Sequence, residues 1–316
     1  MLLERMSSTI CSQALSAFLG IALAGAVSPP AIPYSNSVVE VQMRAVNLHL
    51  DQSTVLEVRR LRGQLVPTQD HQPATFDDAT SFKMRLNSAE IAVGATTLSD
   101  LLNQRVFNYP GAPLKNITIK IENGRIKQKG AMHKGVNLPV EVEGSVDATP
   151  DGEIRLHAQK VVSAHVPVKG LLHFFGEDLS ALVNIRKDRG VRVEGDDILI
   201  HPSRLLPPPQ IDGKISAVRV EDERIVLTFH SRAASELNPP YKTDAYIYHR
   251  GGVLRFGKLT MTDADLEIVS ESHQKPFDFS LPEYNRQLVA GYSKNTASHG
   301  LIVFMQDLKA LGPSKG

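Results

Sequence analysis

Two hydrophobic periods run through this chain, and each predicts a different element. In residues 168–186, apolar side chains recur at intervals of three and four, which is the spacing of one face of an α-helix. These side chains belong to Val168, Leu171, Leu172, Phe175, Leu179, Leu182 and Val183. Phe174 and Ile185 widen the apolar face, and Gly176 interrupts it. The pattern predicts a strongly apolar helical segment that is broken at Gly176.

Most other periodic segments alternate apolar and polar residues, which is typical of β-strands with one covered face. In the clearest case, Ile117, Ile119 and Ile121 precede Asn123–Gly124, a pair that favours the type I′ turn of a hairpin. Further strands are predicted in residues 37–50, 54–66, 81–93, 136–146, 153–162, 190–202, 211–220, 224–229 and 264–271. Two other local patterns predict a short helix capped by Thr97 and a hairpin turning at Gly251–Gly252.

Long strands joined by tight turns, together with a few helices, predict an α+β protein dominated by antiparallel sheet. We expect an elongated, curved β-sheet packed on one or two amphipathic helices, and the 168–186 segment is the strongest candidate to cover that sheet. The predicted organisation is a signal peptide (1–26), a β-rich sheet-plus-helix core domain (34–232), and a C-terminal β-hairpin and helical extension packing on the core (241–316).

The N-terminus has the pattern of a secretory signal. Arg5 precedes an apolar run in residues 14–26, and Ala24 and Ala26 form the Ala-x-Ala arrangement of a cleavage site. The run has about 13 apolar residues, too few to span a bilayer core of about 30 Å, so cleavage after Ala26 is favoured over retention as an anchor. Cys11 precedes the run and does not fit a lipoprotein cysteine. The sequence therefore predicts export to the periplasm or the extracellular space.

Composition excludes several classes of function. The formal net charge is +1, which gives no electrostatic case for binding nucleic acid. Cys11 is the only cysteine, so the mature chain has no structural disulfide, catalytic thiol or cysteine-ligated metal. The sequence lacks the G-x-S-x-G, H-E-x-x-H, G-x-x-x-x-G-K-[ST] and G-x-G-x-x-G motifs. We predict no catalytic residue, no metal site and no cofactor, and we do not expect an enzyme.

Four histidines are the candidates for an alternative chemistry. His133, His157, His165 and His173 lie within about forty residues, and His157 and His165 could meet across neighbouring strands. A metal site needs two or three of them to converge with a carboxylate, and their spacing is not that of a helical or short-loop site. The pattern favours surface or structural histidines.

A basic cluster surrounds the Asn123–Gly124 turn. Arg125, Lys127, Lys129 and Lys134 lie on this hairpin, and alternate strand positions would give them one positive face. The cluster is interpreted in one of two ways. It is a site for phospholipid headgroups, either of a bound lipid or of a membrane surface, or it is a solvated face of the sheet.

Residues 98–229 resemble the LmeA-like family of bacterial envelope proteins, which are phospholipid-binding relatives of the tubular lipid-binding (TULIP) proteins. The resemblance lies in the phrases LSDLLN, NGRIKQKG, VNLPVEVEG, TPDGEIRLH and LPPP. It implies a curved antiparallel sheet wrapped on a helix, with an apolar groove for acyl chains. The residues assigned to that groove are Leu171, Leu172, Phe174, Phe175, Leu179 and Leu182.

Three functional hypotheses follow. The leading one is an exported envelope protein that binds a lipid or another amphiphile for transfer, storage or envelope maintenance. The second is a structural or interaction protein without a ligand, in which the 168–186 helix is ordinary core. The third is a hydrolase or metal enzyme that uses His133, His157 or His165. A connected apolar cavity would favour the first hypothesis over the second.

Overall fold

The computed structural model describes residues 38–134, 136–163, 166–167, 189–230 and 234–312, without the side chains of residues 133, 134, 136, 166 and 167. The predicted signal peptide and the predicted 168–186 helix lie outside these ranges. None of the helices within the described ranges has the length and hydropathy needed to span a lipid bilayer.

Strands dominate the described residues. In chain order they are β1 (Val39–His49), β2 (Val55–Pro67), β3 (Ala74–Thr75), β4 (Phe82–Gly94), β5 (Leu114–Glu122), β6 (Arg125–Lys134), β7 (Val136–Ala148), β8 (Ile154–Ser163), β9 (Val166–Pro167), β10 (Val191–Glu194), β11 (Asp197–Ile200), β12 (Gln210–Asp212), β13 (Ile215–Glu221), β14 (Arg224–His230), β15 (Tyr246–Gly251), β16 (Leu254–Phe256), β17 (Leu259–Met261), β18 (Ala264–Ser270), β19 (Phe277–Ser280), β20 (Tyr292–Asn295) and β21 (Leu301–Met305). The sheet-dominated α+β class predicted from the alternating pattern is confirmed.

The described helices are short. Helix α1 (Ala95–Leu101) continues as a π-helical stretch (Leu102–Val106), and α2 (Pro202–Leu205), α3 (Tyr284–Ala290) and a 3₁₀ turn (Leu308–Leu311) follow.

The strands form two large sheets and one small one. The main sheet has eleven strands in the order β13-β14-β4-β2-β1-β15-β18-β21-β20, with β12 beside β4 and β19 beside β1. The second sheet has seven strands in the order β10-β11-β8-β7-β6-β5, with β9 beside β8, and the small sheet has the order β17-β16-β3. Neighbours along the second sheet are all antiparallel, so its residues alternate between two faces over long stretches.

Strands from the last quarter of the chain complete the sheet that the first strand begins. β15 pairs antiparallel with β1, and β19 pairs parallel with it. The described residues between 38 and 312 belong to one compact unit. One continuous cluster of buried side chains includes Val41 of β1, Ile225 of β14 and Leu156 of β8, so a shared core joins the two large sheets.

Two local predictions were wrong. The helix begins at Ala95, with Gly94 rather than Thr97 at its N-cap, and the Thr97 side chain is buried. The Gly251–Gly252 hairpin does not form, because β15 pairs with β1 and β18 while β16 pairs with β17 and β3. Both glycines do have positive φ, so the chain turns there as expected but its two arms enter different sheets.

Candidate functional site

A large apolar cavity lies against one face of the second sheet. Its volume is about 1290 Å³, counting the space at its open side. The π-helical end of α1, helix α2 and strand β14 complete its walls. The described lining residues are Leu98, Leu102, Phe107, Leu114, Ile119, Ile126, Gln128, Gly130, Met132, Val140, Val142, Val146, Ile154, Leu156, Val161, Ser163, Val191, Val193, Ile198, Ile200, Leu205 and Ile225.

The strand period explains which side chains form this lining. Along β6, Ile126, Gln128, Gly130 and Met132 line the cavity, and the residues between them point to the other face. The same rule selects Val140 and Val142 on β7, and equivalent aliphatic positions on β8, β10 and β11. The second sheet therefore presents an almost wholly aliphatic inner face.

Side-chain size explains why the described residues leave space at this face. Phe107 is the only aromatic among the described lining residues. A group of other described rings packs beside the main sheet, where Phe76 contacts Phe82, Phe256 and Tyr284 at centroid distances of 5.2–6.1 Å. Valines, isoleucines and a glycine on a broad sheet leave space that aromatic side chains would otherwise occupy.

The cavity is elongated along the strands. On β7 the lining extends from Val146 to Val140, which corresponds to about 20 Å at roughly 3.3 Å per residue. At one end, Ile154 and Leu205 are buried beside Ile225 of the main sheet. Val140 lies toward the other end and is half-buried. The described lining therefore has a length that suits a long, narrow apolar molecule.

Two uncharged polar side chains interrupt the aliphatic lining. Gln128 and Ser163 are the only described lining residues with a polar side chain, and the described lining contains no charged residue. Such a cavity can take hydrocarbon and a neutral polar group, but its described lining offers an ion no counter-charge.

The predicted groove residues cannot be placed against this cavity. Leu171, Leu172, Phe174, Phe175, Leu179 and Leu182 all lie outside the described residues. The cavity wall that the structure does describe comes from the strands, and sequence reasoning assigned none of those strand residues to a site. The alternation of apolar and polar residues was the sequence feature that pointed to these strand residues. It identifies the side chains of the inner face but does not show whether space remains beside them.

The predicted headgroup residues lie on the opposite face of the second sheet. Arg125, Lys127 and Lys129 occupy the positions of β6 that alternate with the lining residues. Each contacts a carboxylate on its own or a neighbouring strand: Arg125–Glu143 at 3.4 Å, Lys127–Glu122 at 2.7 Å and Lys129–Glu141 at 3.1 Å. The hydrogen bond from Lys127 to Glu122 raises the pKa of Lys127. The side chain of Lys134 lies outside the described residues.

The histidines singled out in the sequence form no described metal centre. His157 lies on the outer face of β8, with Nδ1 at 2.6 Å from Oδ1 of Asp197 on β11. The side chains of His133, His165 and His173 lie outside the described residues. Within the described ranges, no three histidine or acidic side chains converge as metal ligands.

His249 is a buried histidine that sequence reasoning missed. It is fully buried in β15, and neither ring nitrogen has a hydrogen-bond partner among the described residues. Its ring makes an edge contact with Phe76 at 5.4 Å, beside a small cavity of about 320 Å³. Burial lowers the pKa of His249 to about 3. The sequence contains a feature that predicts this burial. His249 lies two residues after Ile247 on β15, so both side chains share the strand face that points into the core.

Glu267 is a second buried ionisable group, on β18 of the main sheet. Its Oε2 accepts a hydrogen bond of 2.7 Å from the backbone N–H of Tyr241, while Oε1 has no partner among the described residues. Burial raises the pKa of Glu267 to about 7, and the charge of Asp265 adds to this. Glu267 therefore changes its charge near neutral pH.

Glu267→Gln is expected to stabilise the protein above neutral pH. The pKa of Glu267 is higher in the folded state, about 7, than in the unfolded state, about 4.3. The protonated carboxyl therefore contributes its full stability below about pH 4.3, and this contribution is lost as the pH rises through 7. The advantage of the variant over the wild type should be larger at pH 8.5 than at pH 5 by on the order of 2 kcal/mol. Urea unfolding at both pH values measures the difference. Glu223→Gln, at an exposed position, is the matched control, and an equal gain at both pH values would contradict the assignment.

No protein-family model, curated protein sequence or solved structure matches this chain. The resemblance to the LmeA-like family stays a prediction from the sequence.

Proposed function

We propose that this protein binds a lipid or another amphiphile and holds its hydrocarbon part in the apolar cavity of the second sheet. The observation that carries the proposal is the cavity itself, which is elongated, open on one side and lined by aliphatic side chains. The described lining extends for about 20 Å along β7 at roughly 3.3 Å per residue, a length that an extended hydrocarbon chain would match. The proposal assigns no catalytic step and no cofactor.

Burial of hydrocarbon supplies enough free energy for such binding. Each CH₂ group removed from water contributes about 0.8 kcal/mol, so ten of them contribute about 8 kcal/mol before the cost of association. The estimated cost of losing translational and rotational freedom is at least about 4 kcal/mol. The net free energy of binding therefore depends on chain length, and ligands with longer chains would bind more tightly.

The proposal includes the predicted arrangement of a curved sheet on an apolar helix. The 168–186 segment follows β9 and precedes β10, and both strands belong to the sheet that lines the cavity. We propose that its predicted groove residues contact the same ligand. The basic residues of β6 are assigned no contact with a ligand inside the cavity, because they lie on the other face and are paired with carboxylates.

The proposal also includes export. The predicted signal peptide would deliver the mature chain to the periplasm or the extracellular space, where a lipid carrier or lipid-storage protein of the envelope would act.

Native mass spectrometry of the protein purified from its host is the test. We expect a stoichiometric, releasable ligand that organic extraction identifies as a long-chain amphiphile. Protein freed of ligand should then take up a fluorescent dansyl-labelled fatty acid, with strong blue-shifted emission from the apolar site. A ligand-free mass together with no uptake of the probe would contradict the proposal and favour an interaction protein without a ligand.

A further inference from the structure

Gln128 is the polar residue deepest in the lining of the cavity. It is only 7% exposed, and its side-chain amide has no hydrogen-bond partner among the described residues. It lies opposite Val142 on β7, which in turn lies opposite Val161 on β8. Gln128 therefore occupies the middle of an otherwise aliphatic floor.

An amide that faces the cavity without a protein partner has an energetic cost once a ligand displaces the water beside it. Leaving a buried polar group without its hydrogen bonds costs about 1–3 kcal/mol, whereas leucine would accept the same hydrocarbon without that cost. A cavity that served only to bury plain hydrocarbon would gain nothing from glutamine. The amide NH₂ offers two donors and its carbonyl oxygen one acceptor site with two lone pairs, and these are free to meet a ligand.

The surroundings restrict the kind of group that Gln128 can meet. No charged side chain is present in the described lining, so a carboxylate or phosphate beside Gln128 would be desolvated without a counter-charge. A neutral acceptor such as an ester carbonyl carries no such penalty. The neutral amide of Gln128 is matched to a neutral oxygen of the ligand.

The depth of Gln128 adds a further restriction. Met132, the last described lining residue of β6, lies four residues further along the strand, or about 13 Å at roughly 3.3 Å per residue. In the other direction the lining continues to Ile126 and the buried Ile154. A group that contacts Gln128 thus has hydrocarbon lining on both sides of it.

We propose that Gln128 donates a hydrogen bond to the ester carbonyl of a neutral lipid that has hydrocarbon on both sides of the ester. This inference rests on the proposed function and specifies its ligand class. The carbonyl lies at the middle of the cavity floor, and the two hydrocarbon arms extend along the strands in opposite directions. A lipid whose phosphate lies close to its ester fits less well, because the phosphate would also lie inside the uncharged lining.

Binding of matched linear probes tests the inference. The probes are decyl decanoate, the straight-chain hydrocarbon of equal chain length, and palmitate as the anionic ligand, each competing with the dansyl-labelled fatty acid. We expect the wild type to prefer the ester, and Gln128→Leu to lower the ratio of ester to hydrocarbon affinity by about five- to tenfold. Gln159→Leu makes the same substitution on β8 at a residue that is not among the described lining residues, and it should keep the preference.

A spectroscopic measurement keeps the inference testable even if the variant does not fold. The infrared carbonyl band of ¹³C-labelled decyl decanoate should lie at lower frequency when bound to the wild type than in hydrocarbon solvent. An unshifted band, or an unchanged ester preference in folded Gln128→Leu, would overturn the inference while the proposed function stands. If the wild type binds none of the probes, the proposed function fails as well.

Discussion

Val140→Asp is expected to abolish binding of acyl-chain ligands while the protein stays folded. Val140 lies in the cavity lining between Gly130 and Ser163 of the neighbouring strands, and its side chain is half-buried. In the empty cavity a carboxylate there can stay hydrated from the open side. A hydrocarbon chain would displace that water, and the described lining has no cation to replace it. The desolvation of an ion costs several kcal/mol, so we expect affinity to fall at least hundredfold.

Ala131→Asp is the matched control for this experiment. Ala131 lies on β6, the strand next to Val140, but on the outer face with Lys129. The variant adds the same carboxylate without placing it in the cavity, so it should bind the dansyl-labelled fatty acid like the wild type. Circular dichroism and the thermal midpoint confirm folding of both variants. Equal affinity of Val140→Asp and the wild type would show that the cavity is not the binding site.

Local chemistry made most strands predictable. The Asn123–Gly124 turn is formed with φ values of 53° and 72°, as a type I′ turn requires, and β5 and β6 extend from it as predicted. β1 and β2 match the strands predicted in residues 37–50 and 54–66, and Asp51 closes the turn between them by accepting hydrogen bonds from the backbone N–H groups of Ser53 and Thr54. In both cases the residues that determine the structure are neighbours in sequence.

Pairing between distant segments was not predictable from the same patterns. The segments on either side of Gly251–Gly252 alternate apolar and polar residues, as the strands of a hairpin would. β15 nevertheless pairs with β1, whose inward side chains belong to the main core. Strands that are adjacent in sequence often pair, and the hairpin was predicted for that reason, but the prediction was wrong. Partners far apart in sequence are selected by the core that they share, which one segment does not reveal.

The cavity shows a second limit of sequence reasoning. The alternation of Ile126 and Val142 with charged residues correctly marks a covered face, but a filled face and an empty one have the same pattern. Whether space remains depends on the summed side-chain volume between the sheets, and thus on where the aromatic residues pack. Among the described residues, Phe82 and Phe256 pack with Phe76 beside the main sheet, and the described lining of the second sheet is mostly aliphatic.

His249→Phe is expected to stabilise the protein at neutral pH and to stabilise it further under acidic conditions. The buried imidazole leaves two nitrogens without partners among the described residues, and phenylalanine removes that cost of about 1–3 kcal/mol while keeping an aromatic contact with Phe76. The pKa of His249 is about 3 in the folded state and about 6.5 when unfolded, so between these values the unfolded state binds more protons. Wild-type stability therefore falls as pH drops from 6.5 toward 3, and the variant does not share this loss.

Urea unfolding of both proteins between pH 7 and pH 4.5 measures this contribution as a difference. The difference is needed because Glu267 acts in the opposite direction over the same range, gaining stability as its carboxyl becomes protonated. The advantage of His249→Phe should grow steadily by at least about 2 kcal/mol across the range. His230→Phe, at an exposed position on β14, should show no such growth. A constant difference for His249→Phe would mean that the imidazole reaches a proton-accepting or proton-donating partner in the folded protein, and that the burial of an unpaired histidine does not govern its acid stability.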